Sequence, residues 1–171
     1  MVKKDYPIVF LDEALAVDGV EDDIIAINRS AAVVKGGRRF SFSALAVVGN
    51  RNGYVGIGYG KAKEVPMAVE KSFKNGRRRL MRVIRVGTTI PHQVEGVFCS
   101  SRVRLIPASP GTGIIAGKPV RKILELAGIR DILTKNYGST NAMNVVKATL
   151  SALAQLRSKE TTESLRGVSI E

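Results

Sequence analysis

The stretch 24–34 reads Ile-Ile-Ala-Ile-Asn-Arg-Ser-Ala-Ala-Val-Val, rich in β-branched residues and partly alternating, and Lys35-Gly36-Gly37-Arg38 bounds it. That pattern predicts a strand running into a tight glycine turn. From 39 to 49, Phe40, Phe42 and Ala44 fall on one face of an extended chain and Ser41, Ser43, Leu45 and Val47 on the other, which predicts a second strand. Asn50-Arg51-Asn52-Gly53 supplies the Asn-Gly hairpin signal, and 54–60 follows as a third strand.

In that third strand Val55, Ile57 and Tyr59 alternate with Gly56, Gly58 and Gly60. A period of two puts all three glycines on one face, which is left without side chains. A second backbone, a packed helix or a sugar-phosphate chain could approach closely there, and strand twist is an equally good reason for the glycines.

Glu64-Val65-Pro66 opens a helix with proline in its tolerated first turn; Val65, Val69 and Phe73 then form a buried stripe, and the helix stops near Asn75-Gly76. A strand is expected over 81–86, with further strands over 94–99 and 102–107. After the glycine-rich stretch 108–117, one helix starts at Lys118-Pro119, buries Val120, Ile123, Leu124 and Ala127, and ends at Gly128. Another, capped by Thr140 or Asn141, uses Val146, Leu150, Leu153 and Leu156. The ends before Asp22 and beyond Ser158 are expected to fray. The fold class is α+β in two small domains: an N-terminal β-β-β-α domain over 22–83 and a second domain over 84–158, with an acidic extension at 1–21 and a tail at 159–171.

Composition narrows the function. The chain has 171 residues, of which 44% are hydrophobic, enough for small cores that gain from docking onto a partner. No uninterrupted apolar run approaches bilayer length, and the first residues lead into acids, so a cytoplasmic protein without a membrane partner is expected. The net charge of +12 hides a division. Residues 1–23 carry seven acids against two lysines, whereas 29–85 carry 14 basic and only two acidic residues. A cationic field of that kind favours a polyanion, and counterion release from phosphates makes nucleic acid the natural partner.

The strongest candidate site is Lys35-Gly36-Gly37-Arg38-Arg39 followed by Phe40: two glycines let the main chain bend sharply and offer N–H groups, and three cations flank them. Arg77, Arg78, Arg79, Arg82 and Arg85 form a second cluster, with nothing acidic nearby in the sequence to neutralise it. Catalytic chemistry is poorly furnished. Gly60-Lys61 lacks the phosphate-loop glycine five residues earlier, where Val55 stands, and the following Ser or Thr, where Ala62 stands. Pro110-Gly111-Thr112-Gly113 could cradle a phosphate before its helix, but the acids of the folded part are scattered singly, so nucleotide-dependent catalysis is weakly supported. With one histidine, His92, and one cysteine, Cys99, no metal cage or disulfide is expected; His92 reads as a loop residue and Cys99 as a buried, inert thiol.

The runs VKGGRRFSFSALAVVGNRNGYVGIGYGKAKEVPMAVEK, GVFCSSRVRLIPASPGTGIIAG and NYGSTNAMNVVKATL, in that order, closely resemble the bacterial small-subunit ribosomal protein S-five family across about residues 22–157. The resemblance implies a double-stranded-RNA-binding-like first domain lacking its first helix. It also implies a βαβ-type second domain of a fold shared with some small-molecule kinases, without their catalysis. It implies a ribosomal, cytoplasmic, non-enzymatic protein with no cofactor. The rRNA-binding set would be Arg29, Lys35, Gly36, Gly37, Arg38, Arg39, Phe40, Arg51, Asn52, Lys61, Lys63, Arg77, Arg78 and Arg79, with the glycine loop reaching rRNA near the decoding region where spectinomycin binds. Gly111, Thr112, Gly113 and Arg121 would face ribosomal protein S-four at a contact that affects decoding accuracy. Ribosomal protein S-eight would meet the second domain, and messenger RNA would pass nearby as it enters the subunit. A free-standing RNA-binding regulator or chaperone is the alternative.

Overall fold

A computed structural model describes residues 19–169 of the chain. Two four-stranded sheets organise them. The first has the order β1-β2-β3-β4, from β1 (Glu21–Val34), β2 (Gly37–Gly49), β3 (Tyr54–Ala62) and β4 (Leu80–Arg82), and α1 (Val65–Arg77) connects β3 to β4. All its pairings are antiparallel. The strand expected over 81–86 is thus shorter and earlier: it closes the first sheet against β3, and Val83 continues only through an N–H donated to the Gly53 carbonyl at 2.7 Å.

The glycine face of β3 meets α1. A methyl on Gly58 or Gly60 would overlap the carbonyl oxygens of Ser72 and Ala68, and one on Gly56 would lie 2.7 Å from the Gly76 carbonyl oxygen. The packed helix is therefore the occupant of the bare face. This contact also corrects the expected stripe: the buried positions of α1 are Ala68, Ser72 and Gly76, while Val65, Val69 and Phe73 are only partly covered. Close approach selects the helix face with the smallest side chains, and the bulkier residues are displaced to its margins.

The second sheet has the order β5-β6-β8-β7, from β5 (Val94–Phe98), β6 (Ser101–Pro107), β7 (Ile114–Ile115) and β8 (Ile132–Gly138). β7 and β8 are parallel and joined by α2 (Lys118–Ala127), which makes the expected βαβ unit. β8 itself was not anticipated. α2 ends where Gly128 takes a left-handed conformation at φ 81°, its N–H bonded to the Glu125 carbonyl. Asn141 caps α3 (Ala142–Leu153) by accepting from the Met143 N–H, and α3 closes on β5 at Gly96, where a methyl would collide with the Ala148 carbonyl oxygen.

The fraying expected at both ends is not what the described residues show. Glu21 already pairs with Gly49 in β1, and beyond Ser158 the chain forms α4 (Lys159–Arg166), with Ser158 accepting from the Thr161 N–H and Gly167 left-handed at its end. The acidic extension before Gly19 lies outside the described residues.

The two sheets share one hydrophobic core, in which Ile25, Leu45, Val47 and Val55 of the first meet Val120, Ile123 and Leu124 of α2. Ile25 occupies a bulge in β1, between Ile24 and Ala26, which turns an otherwise out-of-phase residue into this core. The β2–β3 turn docks on the end of α2: Arg51 N–H donates to the Leu126 carbonyl at 2.9 Å and Gly53 N–H to that of Ala127 at 3.1 Å. Orphan carbonyls at a helix end are thereby satisfied by the neighbouring unit.

Candidate nucleic-acid interface

β1 and β2 stay in register as far as Val34 and Gly37, which leaves Lys35 and Gly36 as the turn. β3 reaches only to the pairing of Phe42 with Ala62. Beyond that pair, among the described residues, the hairpin has no third strand and no covering helix, and every residue from Ile27 to Phe40 is exposed. The sequence thus builds a two-stranded arm that projects from the sheet. Gly37, at φ 142°, lies in a region that side chains with a Cβ rarely adopt, so glycine is required there; Gly36 faces open space.

Alternation sorts the arm's side chains. Pairings of Arg29 with Phe42, Ala31 with Phe40 and Val33 with Arg38 put these six on one face, and Arg39, opposite Ala32, falls on the other. The Arg29 guanidinium lies over the Phe40 ring, 4.8 Å from its centroid. This contact holds a cation flat on an aromatic ring and leaves its edge free for phosphate or ribose. Phe40 is 43% exposed and Val33 81%, an unusual apolar display for a soluble tip and one suited to the shallow groove of a double helix.

Cations gather at the base of the arm. Lys61 and Lys63 are exposed beside the start of α1, and α1 packs on the sheet face that carries Arg29 and Phe40 further out, since Gly76 touches Val48 of that face. Lys71 and Lys74 extend the surface along the exposed side of the helix and were missed in the sequence, where their three-residue spacing was the available signal.

The second cluster is less open than the sequence suggested. Asp22 pairs with Arg77 through two hydrogen bonds, and that contact raises the basicity of a guanidinium that is already a strong base; Glu21 pairs with Arg51 at 2.7 Å. The expectation that no acid neutralises the arginines fails at Arg77, because β1 begins earlier than its apolar residues do and brings its acids alongside. Arg85 turns inward, donating to the Gly128 carbonyl and to Asn52 Oδ1, so Asn52 serves the junction between the sheets. Arg78 and Arg79 are exposed, and among the described residues neither forms an ion pair, nor do Lys35, Arg38, Arg39, Lys61 and Lys63.

Gly111 and Thr112 are exposed and Gly113 half-buried in the turn ahead of β7, and Arg121 is exposed on α2. The phosphate cradle that this glycine run could have offered is filled from within. Asp131 Oδ1 accepts the N–H groups of Gly111 and Gly113, each at 3.0 Å. Among the described residues no group of three or more His, Cys, Asp or Glu gathers to hold a metal, and no helix is long and apolar enough to cross a membrane. His92 lies in a loop, its Nε2 accepting the Arg157 N–H at 3.2 Å. Cys99 is exposed, not buried as expected, because it forms the two-residue β5–β6 turn at φ 51°.

Comparison with known proteins agrees with this layout. Residues 20–84 match the family model described as ribosomal protein S5, N-terminal domain, and 96–166 match ribosomal protein S5, C-terminal domain. The chain is 55% identical over 148 residues to the small ribosomal subunit protein uS5 of Nocardia farcinica (strain IFM 10152), covering 86% of this chain and 68% of that protein.

Proposed function

The chain belongs to the ribosomal protein S5 family, a structural and non-enzymatic component of the small ribosomal subunit, and from that premise we propose that it braces folded rRNA with its projecting β1–β2 arm and the cations at the arm's base. Membership makes rRNA and neighbouring ribosomal proteins its partners and the ribosome of the cytoplasm its place of work.

One observation carries the reading: an arm without a third strand or a covering helix among the described residues exposes Lys35, Arg38 and Arg39 together with Phe40, which holds Arg29 on its ring. Phosphates of a double-stranded rRNA element would lie against Lys61, Lys63, Arg78 and Arg79, and the arm would follow the wide, shallow groove, because the deep groove of A-form RNA excludes side chains. Gly36 and Gly37 let the backbone come close, and Arg51, Asn52 and Arg77 support the surface from the junction side. The finer assignments follow the family likeness. The turn at Gly111, Thr112 and Gly113, with Arg121, would face ribosomal protein S-four and bias the subunit between open and closed decoding states. Ribosomal protein S-eight would meet the second unit, messenger RNA would enter nearby, and the division into domains is placed at residue 83/84, in the connection between the sheets.

Hydroxyl-radical footprinting of small-subunit rRNA with the full chain tests the arm. The reading expects a protected helical segment that loses protection when Lys35, Arg38 and Arg39 are replaced together by glutamine. Unchanged protection overturns it.

A further inference from the structure

We propose that Asp131 is a positioning residue, fixing the shape in which the turn at Gly111–Gly113 is presented to a neighbouring protein; this rests on the reading of that turn as a protein-docking surface. Asp131 is 5% exposed and is the one buried carboxylate among the described residues. Chain geometry drives it inward. After Gly128 stops α2, the N–H groups of Arg130 and Asp131 both bond the Thr88 carbonyl, at 2.8 and 3.1 Å, and Ile132 enters β8.

A buried carboxylate without a salt bridge is costly unless N–H or O–H groups replace its water. Here they do. The Thr88 hydroxyl and the Gly113 and Gly111 N–H groups hold the carboxyl below the usual aspartate range, against the opposing effect of burial and with a smaller contribution from the Arg130 charge. Gly111 at φ 92° and Gly113 at φ 76° are left-handed, and with these dihedrals two N–H groups separated by Thr112 converge on a single oxygen. Thr112 is then turned outward, its hydroxyl and N–H both on the Ser109 carbonyl, at 2.7 and 3.2 Å. From the opposite side, Ile132 N–H binds the Gly113 carbonyl and Thr89 Oγ1 accepts from the Ala108 N–H. The turn is exposed at its tip and anchored at its root. Two left-handed glycines would otherwise leave it pliable, and a docking surface that had to be ordered on contact would bind more weakly.

The test uses amide exchange by NMR on the full chain. Asp131→Ala is expected to speed exchange at Gly111 and Gly113 by about tenfold or more, while amides of Leu124 and Val146 keep their rates. Asp131→Asn retains Oδ1 and is expected to restore most of the protection. In the native chain both glycine amide shifts should titrate together with one midpoint below the ordinary aspartate value of 3.8. Unchanged glycine exchange in Asp131→Ala, equal acceleration of the core amides, or independent titration of the two glycines overturns the inference.

Small subunits reconstituted with each variant separate this claim from the docking reading. Misreading is expected to change with both Asp131→Ala and Arg121→Glu. If Arg121→Glu changes it and Asp131→Ala does not, the positioning claim falls. If neither changes it although the glycine amides have been released, the docking reading falls instead.

Discussion

Lys122 on α2 donates to the Asp23 carboxylate at 2.6 Å and to the Ile24 carbonyl at 2.7 Å, tying the second unit to the first strand of the first. The Lys122 side chain is 23% exposed against 61% for Lys159, and its ion pair closes at 2.6 Å against 3.9 Å for Lys159 with Glu163, so the Lys122 contact is the less screened. Lys122→Met should lower stability by about 1 kcal/mol, a fall in Tm of about 2–4 °C for a chain of this size, while Lys159→Met should change it by less than about 0.5 kcal/mol. Thermal unfolding of the two variants under the same conditions checks the contrast.

Gly58 and Gly36 should respond in opposite ways to alanine. At Gly58 the added methyl meets the Ser72 backbone and α1 must move, which should cost about 3 kcal/mol. At Gly36 it meets open space, and the midpoint of urea unfolding should barely shift. RNA affinity of Gly58→Ala should fall only as far as its folded fraction does.

Arg78 and Arg77 are neighbours in sequence with different employment. Replacing Arg78 by glutamine should reduce the slope of log K against log salt for rRNA binding by about 0.7–0.9, as expected for one lost phosphate contact. Arg77→Gln should reduce it less, since that guanidinium is already engaged by Asp22. Titrations across a range of salt concentrations measure both slopes; equal slopes would mean that the ion pair opens when RNA binds.

Stability should depend on pH through Asp131. Its carboxyl is held below 3.8 in the folded chain, so the stabilisation is fully present above the ordinary aspartate value and is lost as pH falls through the lowered one. The difference in Tm between the native chain and Asp131→Ala should therefore be constant near neutrality and shrink below pH 3.8. Melting curves collected from neutral to strongly acid buffer follow it.

These predictions draw on features with very different visibility in the sequence. The basic turn at Lys35–Arg39 and the glycine face of β3 could be read directly, because period two fixes which side chains share a face whatever packs on them. The occupant of that face could not be read. Hydrophobicity pointed to Val65, Val69 and Phe73, whereas close approach chose Ala68, Ser72 and Gly76. β8 was hidden by its polar residues: Lys135 and Tyr137 lie on the side of the second sheet that faces solvent, and Asn136, half-buried, shares the other face with Ile132. α4 buries nothing and so has no apolar stripe to betray it. Charge counted along the chain also misled: Asp22 and Arg77 lie 55 positions apart and meet only once the sheet has formed. Asp131 gave no signal at all, because its role depends on two backbone N–H groups that no side-chain pattern reports.

The most direct test of the brace is the affinity of the full chain for small-subunit rRNA near physiological salt, measured with Lys35, Arg38 and Arg39 intact and with all three replaced by glutamine. Loss of three phosphate contacts predicts about a hundredfold weaker binding together with a shallower salt dependence. Equal affinity of the two proteins for that RNA would contradict the account.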